Sequence, residues 1–453
     1  MSTLDRSQAP APARVHPFTF PEVQRSRLAN GLELFTARHG TVPLATARIV
    51  LDAGVTREPA ELGGVAHLVA HTIDAGTTHK DAERLSWELE LLGAQLEVST
   101  GFDATAISVT AATDRMPQAL ALLCEMVTEA RFPEAEVKRV RTEQLGEIEQ
   151  RRSDPRSLAS DQAIRFMYGS ESVYGRSALG SVETVQRLTV GDVRSFYHDR
   201  YAPGKAALIL VGALDGAAID TAHECLSRWS SQPAPVSAPN YGPSVTSARV
   251  HIIDRTGSVQ SEIRLGHAGP SRADPDYFAL QVVNSILGGA FTSRLNLNLR
   301  EKQGFTYGVR SQFAFRRGPG PFIISTAVAS EVTARAIEET LREVDLLSAD
   351  GPTEEELQNT IDYLTGIMPL ELQTTDQLAG KLSELFVYGL SDDYFATYRS
   401  RIAAVTREDA LRAGRQHIKR VLFTYVVVGD PGGIEEPLKS LGIGPVEVHS
   451  ANE

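Results

Sequence analysis

The chain has 453 residues, of which 42% are hydrophobic and 23% are charged, the ordinary balance of a soluble globular protein. This length exceeds what one hydrophobic core usually serves, so we expect at least two domains. The formal net charge of −12 at pH 7 disfavours a nucleic-acid partner, and no apolar run reaches the roughly 20 residues that span a membrane. The two cysteines offer no disulfide framework, which suits a reducing cytoplasm.

The beginning of the chain differs in composition from the rest. It opens with an Ala- and Pro-rich stretch that lacks the apolar segment of a secretory signal. We therefore expect residues 1–24 to form a disordered or extended tail, and we expect a cytoplasmic protein.

From Arg25 onward, apolar periodicity predicts alternating strands and helices. Strands at Leu32–Thr36 and Ala45–Leu51 follow the Asn30-Gly31 turn and suggest a hairpin that enters a sheet. The later elements of the first half are a helix at 80–92, strands at 95–100 and 105–110, helices at 115–130, 134–152 and 189–201, and a strand at 206–211.

A helix-then-strand unit occurs twice in the chain. The helix-start signals Thr189-Val190-Gly191-Asp192 and Thr406-Arg407-Glu408-Asp409 are each followed by a helix, a buried strand and a glycine, Gly212 or Gly429. In both units the glycine lies 23 positions after the threonine, and the second unit begins 217 residues after the first. This agreement indicates an internal duplication.

The duplication sets the expected domain organisation. Further strands are predicted at 250–253, 261–266, 307–315 and 321–328, with a long helix at 276–287. The Pro-rich segment 231–245 predicts a linker. We therefore expect an α+β protein of two duplicated α/β halves, the first at 25–230 and the second at 246–440, with a C-terminal tail at 441–453.

One stretch, Gly63-Gly64-Val65-Ala66-His67-Leu68-Val69-Ala70-His71, pairs two histidines inside an apolar run. On a helix, residues four apart lie on one face, so His67 and His71 could hold one metal ion. A hydrolytic zinc site also needs a carboxylate that takes a proton from water, and position 70 on the same face carries alanine. Taken alone, such a pair is more often explained by buried histidines with protein partners.

The predicted helix at 134–152 offers a third ligand among Glu143, Glu147 and Glu149. The histidine pair is followed by Gly76-Thr77 and by Glu147-Ile148, with Glu147 lying 76 positions after His71. This pattern resembles the pitrilysin/insulinase/processing-peptidase family of inverted zincins. The motif of that family is His-x-x-Glu-His with a distal glutamate. The resemblance runs from Arg25 to about Asp430 and implies a LuxS/MPP-like metallohydrolase fold in which His67, His71 and Glu147 bind Zn²⁺.

The resemblance also covers the second half and the substrate. Leu299-Arg300-Glu301-Lys302-Gln303-Gly304-Phe305-Thr306-Tyr307 resembles the segment whose Arg and Tyr, seven apart, hold the substrate backbone and the developing oxyanion. Short family members form clam-shell dimers, which implies a homodimer or a heterodimer with a related subunit, with Arg300 and Tyr307 acting on the partner's zinc. Gly93-Ala94-Gln95-Leu96 resembles the segment that in the family precedes an edge strand that captures the substrate, which implies substrate contacts from Glu97, Val98 and Ser99. Without the family, Arg300 would be a surface charge and Tyr307 a core or strand aromatic.

Ala70 departs from the family motif, because it stands where the general-base glutamate belongs. General acid–base catalysis is worth roughly 10²–10⁴ in rate, so we expect peptide hydrolysis by this chain to be very slow or absent. Two explanations stay open: a peptidase inactivated by a deliberate exchange at position 70, and a natural non-catalytic subunit that binds peptide and pairs with an active partner. A peptide chaperone without metal is a third interpretation, which would make both histidines core residues.

Overall fold

The computed structural model describes residues 17–40, 42–214, 216–235, 238–243 and 245–451. The strands of the first half are β1 Val23–Arg27, β2 Glu33–Arg38, β3 Leu44–Leu51, β4 Gln95–Thr100, β5 Thr105–Ala112 and β6 Ala206–Gly212. Its helices are α1 Val65–Ala70, α2 Ala82–Leu91, α3 Met116–Thr128, α4 Glu134–Ser153, α5 Pro155–Tyr168, α6 Val182–Arg187, α7 Val190–Arg200 and α8 Gly216–Leu226.

The second half repeats this plan. Its strands are β7 Arg249–Asp254, β8 Gln260–Ala268, β9 Val309–Phe313, β10 Pro321–Ala329, β11 Thr424–Gly429 and β12 Val446–Ser450. Its helices are α9 Tyr277–Asn284, α10 Thr333–Asp350, α11 Glu354–Ile367, α12 Thr375–Tyr388, α13 Tyr394–Ala403, α14 Arg407–His417 and α15 Pro431–Ser440. Two π-helical segments, Ser285–Gly289 and Asn296–Lys302, follow α9.

Each half builds one six-stranded sheet, and the two sheets share an internal order. The orders are β1-β2-β6-β3-β5-β4 and β12-β7-β11-β8-β10-β9. In each sheet, the last strand of the repeat (β6 or β11) is parallel to one neighbour and antiparallel to the other. Both strands are buried at every residue, as central strands made of apolar runs should be. The two matching sheets confirm the predicted α+β fold of duplicated halves.

The predicted hairpin of β2 and β3 is wrong. β6 lies between these two strands and pairs in parallel with β2 and antiparallel with β3. Local turn signals cannot reveal this arrangement, because β6 comes from the far end of the half and its pairing depends on burial in the completed sheet.

The two halves exchange a helix. α5 of the first half packs on β8 and β11 of the second sheet, whereas α12 of the second half packs on β3 and β6 of the first sheet. Leu378 and Leu382 of α12 share a buried apolar cluster with Ile209, and Leu158 of α5 shares another with Val426. Separating the halves would expose both apolar faces to water, so these contacts hold the halves together.

The ends of the chain correct one expectation. The expected C-terminal tail, 441–453, instead contains β12, which pairs in parallel with β7 at the edge of the second sheet. Residues 452 and 453, residues 1–16 of the expected N-terminal tail and linker positions 236, 237 and 244 lie outside the described residues. Phe20 is buried, and β1 begins at Val23, inside the expected N-terminal tail. In the part of the chain that the structure describes, no helix is both long and apolar enough to cross a membrane.

Candidate zinc site and substrate-binding residues

α1 carries both predicted histidine ligands. His67 lies within this helix, and His71 directly follows its last residue and donates its backbone N–H to the carbonyl of His67 at 2.9 Å. The two imidazole rings stack with their centroids 4.1 Å apart and their planes at 29°. Leu68 and Val69 on the other side of the helix are buried in the core of the first half. The packing of α1 therefore turns both histidines to one face, away from that core.

Glu58 caps the start of α1. Its side chain is buried, and its two carboxylate oxygens accept hydrogen bonds from the backbone N–H groups of Gly64 at 3.1 Å and Ala66 at 2.8 Å. The first N–H groups of a helix have no partner inside it, so this carboxylate satisfies donors that would otherwise be buried and unpaired. Burial raises the pKa of Glu58 to about 8, although the two N–H donors and the charge of Arg176 lower it. Glu58 thus fixes the backbone that leads into His67.

Gln144 joins α1 to α4. Its side-chain amide donates to the carbonyl oxygens of Gly64 at 3.0 Å and Leu179 at 2.8 Å. Gly64 has a φ of +91°, and a Cβ at this position would lie 2.5 Å from the Leu179 carbonyl oxygen. Glycine is therefore required here both for its backbone conformation and for the close approach of the two chains. These contacts place α4, with Glu147 three residues after Gln144, beside the histidine helix.

The environment keeps both histidines neutral. Burial lowers the pKa of His67 to about 4, and the neighbouring His71 adds to the shift. Burial also lowers the pKa of His71, while the negative charges of Glu147 and Asp74 act in the opposite direction. At pH 7 both rings therefore carry a free lone pair, which is the form that binds a metal. Of the two rings, His71 is the one on which the negative charge of Glu147 acts.

The chemistry of the donor set fits zinc, since two neutral imidazoles and one carboxylate are common zinc ligands. The ligand atoms of His67, His71 and Glu147 do not, however, all lie within 4.8 Å of one another. Among the described residues, two other groups do have all their ligand atoms within 4.8 Å of one another. They are His251 with Glu447 and His449, and Asp274 with Asp276 and His417. Zinc bonds are about 2.0–2.2 Å long, so the exposed Glu147 side chain would have to move toward the rings to complete the set.

Ala70 lies between the two histidines in the chain. Its side chain is 0% exposed, and a methyl group can neither accept nor donate a proton. The next carboxylate along the chain belongs to Asp74. Burial raises its pKa above the ordinary value, and the charges of Arg139 and His71 offset only part of this rise. The helix therefore presents metal ligands but not the predicted general base.

β4 carries the predicted substrate-binding residues Glu97, Val98 and Ser99. It lies at one edge of the first sheet, and among the described strands it pairs with β5 alone. Glu97 and Ser99 are exposed, whereas Val98 is half-buried against the core. α1 packs against β4, so the free edge of this strand lies near the histidine helix. The unpaired backbone groups of such an edge can bind an extended peptide as an added strand.

The Arg/Tyr pair lies in the second half. Arg300 is part of the π-helical segment 296–302, and its guanidinium lies 4.3 Å from the centre of the exposed Phe291 ring. Tyr307 precedes β9 and is 98% exposed, so it is not a core aromatic. Within the described residues, no hydrogen bond, ion pair or ring contact joins either residue to the histidines or to Glu147. One chain does not bring the two groups into direct contact.

Two sequence models of one peptidase family match this chain. The model described as "Insulinase (Peptidase family M16)" matches residues 35–177, and the model described as "Peptidase M16 inactive domain" matches residues 187–364. The chain belongs to peptidase family M16, the pitrilysin/insulinase family. The first match contains His67, His71 and Glu147, whereas the positions 217 residues after them hold Asn284, Gly288 and Leu364.

Individual relatives of this M16 chain span most of its length. An uncharacterized zinc protease of Streptomyces coelicolor is 28% identical over 409 residues, which cover 88% of both chains. An Arabidopsis thaliana protein named "Probable mitochondrial-processing peptidase subunit beta" is 26% identical over 278 residues, 60% of this chain and 52% of that protein. The crystal structure of a peptidase M16 inactive domain from Pseudomonas fluorescens superimposes with a TM-score of 0.84 at 26% identity, covering 90% of this chain and 98% of that one.

Sequence patterns did not identify the residues that hold this M16 site together. Glu58 and Gln144 carry no local motif, because their partners are backbone groups that only the fold brings near. The available signal was glycine: Gly63-Gly64 and Leu179-Gly180 mark the two stretches that Gln144 and Thr184 join. A carboxyl before such a paired-glycine turn would have been a reasonable candidate for a helix cap.

Proposed function

We propose that this chain is a zinc-binding M16 peptidase scaffold that binds extended peptides and lacks the general base for their hydrolysis. One observation carries the proposal. Two neutral histidine rings stack 4.1 Å apart at α1, the charge of Glu147 acts on His71, and Ala70 occupies the position of the base. The zinc-protease name of the Streptomyces coelicolor relative supports the assignment.

Each residue would have a separate role. His67, His71 and Glu147 would hold Zn²⁺, which when bound polarises a peptide carbonyl and makes water more acidic. The free edge of β4 would bind the peptide backbone, with Glu97, Val98 and Ser99 contacting its side chains. Arg300 and Tyr307, from a second subunit, would donate to the substrate backbone and to the oxyanion. With alanine at position 70, no side chain takes the proton from water, so bound peptide stays uncleaved.

Replacing Ala70 tests this proposal. Ala70→Glu supplies a carboxylate, whereas Ala70→Gln has nearly the same shape but cannot act as a base. Zinc-loaded Ala70→Glu should cleave a mixture of unstructured peptides roughly 10²–10⁴ times faster than Ala70→Gln, and a chelator should abolish the difference. Equal, background rates for both variants, with zinc bound in each, would contradict the proposal.

A non-catalytic partner subunit is the second candidate function. The Arabidopsis thaliana relative is named as one subunit of a processing peptidase, and a missing base is expected in a subunit that binds but does not cut. In that case the Ala70→Glu chain alone would stay inert. Activity would appear on mixing the unaltered chain with an active homologue that carries the full motif, and this mixture would exceed the activity of the homologue alone.

A further inference from the structure

A second group of metal-ligating side chains lies far along the chain from α1, where β12 pairs with β7. His251 on β7 is opposite Glu447 on β12 in the parallel register, and His449 is two residues further along β12. Residues two apart on a strand project from the same face, so the sheet itself brings His251, Glu447 and His449 together. The three residues are held on paired strands, which are hydrogen-bonded over five positions, and not on flexible loops.

The ligand atoms have the spacing of a metal site. His251 Nδ1 lies 3.0 Å from His449 Nε2 and 3.7 Å from Glu447 Oε2, and the last two atoms are 3.9 Å apart. A circle through three points with these separations has a radius of about 2.1 Å, which matches the zinc–nitrogen and zinc–oxygen bond lengths of about 2.0–2.2 Å. An ion could therefore contact all three atoms without movement of the strands.

Neighbouring side chains hold the three ligands in place. The ring of Phe166 on α5 stacks on the His251 ring, with centroids 3.8 Å apart and planes at 2°. Arg249 donates to Glu447 Oε1 at 2.6 Å and leaves Oε2 facing the histidines. Hydrogen bonds of this kind to the second oxygen of a ligating carboxylate commonly orient metal ligands. His251 is buried, while Glu447 and His449 are half-buried, so water can reach the open side of the group.

The other group with close ligand atoms is different. In the group of Asp274, Asp276 and His417, Arg412 contacts both carboxylate oxygens of Asp276 at 2.8 Å. A guanidinium that occupies both oxygens already neutralises the acidic residue and repels a cation. The group of His251, Glu447 and His449 is the better candidate for a metal site, because Glu447 keeps one carboxylate oxygen, Oε2, for a metal.

We infer that His251, Glu447 and His449 form a second binding site for a zinc-type divalent metal, which fastens the edge strand β12 to β7. The site is independent of the proposed peptidase function, because its residues lie in the other half and on other elements. Water would complete the coordination on the exposed side. Metal binding at this position would stabilise the C-terminal strand and, through Phe166, the contact of α5 with the second sheet.

Metal content of purified variants tests the inference. The chain should be free of a histidine tag, loaded with ZnSO₄, dialysed and analysed for zinc by mass spectrometry. His449→Ala and Glu447→Gln should each bind one equivalent of zinc less than the unaltered chain. His198→Ala, which removes a histidine with an 83% exposed side chain at another place, should lose none. Circular dichroism confirms that each variant is folded, and the conservative Glu447→Gln keeps the test valid if the alanine variant unfolds.

Failure of this site and failure of the α1 site give different results. If both bind zinc, the unaltered chain holds two equivalents, and His67→Ala and His449→Ala each hold one. If only the second site binds, His67→Ala keeps the single equivalent of the unaltered chain, and His449→Ala has none. The inference is overturned if folded His449→Ala and Glu447→Gln hold as much zinc as the unaltered chain. In that case the 3.0 Å contact of His251 with His449 is a hydrogen bond between two imidazoles and nothing more.

Discussion

Side chains that are not themselves metal ligands set the conformation of the candidate zinc site. Glu58 accepts from two N–H groups at the start of α1, and Gln144 donates to the carbonyl of Gly64. None of these contacts involves a predicted ligand. Loss of either side chain would leave buried backbone groups without a partner, at a cost of about 1–3 kcal/mol for each group. The geometry of the site thus depends on residues that carry no catalytic motif.

Glu58 predicts a specific pH dependence of stability. Its pKa in the folded chain, about 8, lies above the ordinary value of 4.5, so the folded state binds the proton more tightly than the unfolded state. The stability from this residue is fully present below about pH 4.5 and is lost as the pH rises through 8, at up to about 1.4 kcal/mol per pH unit. Glu58→Gln cannot ionise, so its stability relative to that of the unaltered chain should rise between pH 5 and pH 8.

Thermal unfolding of the metal-free chain in a chelator measures this effect. The melting temperatures of the unaltered chain and of Glu58→Gln are compared at several pH values, with Glu61→Gln as a control because Glu61 is a nearby but exposed glutamate. The difference between Glu58→Gln and the unaltered chain should change across the range, and that for Glu61→Gln should not. A constant difference for Glu58→Gln would show that Glu58 is ionised throughout.

At the scale of elements, β4 is an edge strand that a partner could extend. An edge strand with unpaired backbone groups favours association with another extended chain, and natural proteins usually block such edges. Among the described strands, none pairs with β4 on the side away from β5. A peptide added to this edge would lie beside α1, which packs against the same strand.

Backbone methylation of the peptide tests strand addition without altering the protein. Alternate N–H groups of an extended peptide point toward the strand that it joins. Methylation at one such nitrogen should weaken binding by about 1 kcal/mol, roughly fivefold, and methylation at the intervening nitrogens should have little effect. Fluorescence anisotropy with a series of singly methylated peptides should therefore show losses at every second position. Equal losses at all positions, or none, would mean that the peptide is not bound as a strand of this sheet.

The sequence predicted elements best where burial follows a simple period. The strands at 95–100 and 105–110 and the helix at 134–152 lie close to β4, β5 and α4, because each has its apolar residues on one face or in one run. The sequence did not predict α5. Asp154-Pro155 can mark the end of one helix as well as the start of the next, and the apolar residues of α5 face the second sheet. β12 was missed for a related reason: its alternating polar residues resemble a tail until β7 pairs with them.

At the scale of the whole molecule, the duplication was visible but the exchange of helices was not. Units 217 residues apart correspond to α7 with β6 and to α14 with β11, and the shared strand order agrees with this spacing. No local pattern indicates that α5 covers the other half's sheet, or that α12 does the same in return. For the site, the motif indicated which residues to examine, and their binding of zinc stays a prediction. The exchanged helices make the two halves one unit, in which Arg300 and Tyr307 lie apart from the histidines.

The central claim of the proposed function is that the groups needed for peptide cleavage are divided between two chains and that only the base at position 70 is missing. Heterodimers of two different variants test the claim directly. Both chains carry Ala70→Glu. The first chain also carries His67→Ala, and the second also carries Arg300→Ala. They can be isolated through two different tags that contain no histidine. In each heterodimer, one of the two sites then combines an intact zinc set with an intact arginine.

The account predicts that neither doubly substituted homodimer cleaves peptides, and that the isolated heterodimer recovers about half of the activity of the Ala70→Glu homodimer, because one of its two sites is complete. The peptidase rates of the three dimers, measured with zinc present, decide the question. A heterodimer as inactive as its two parents, beside an active Ala70→Glu homodimer, would contradict the account.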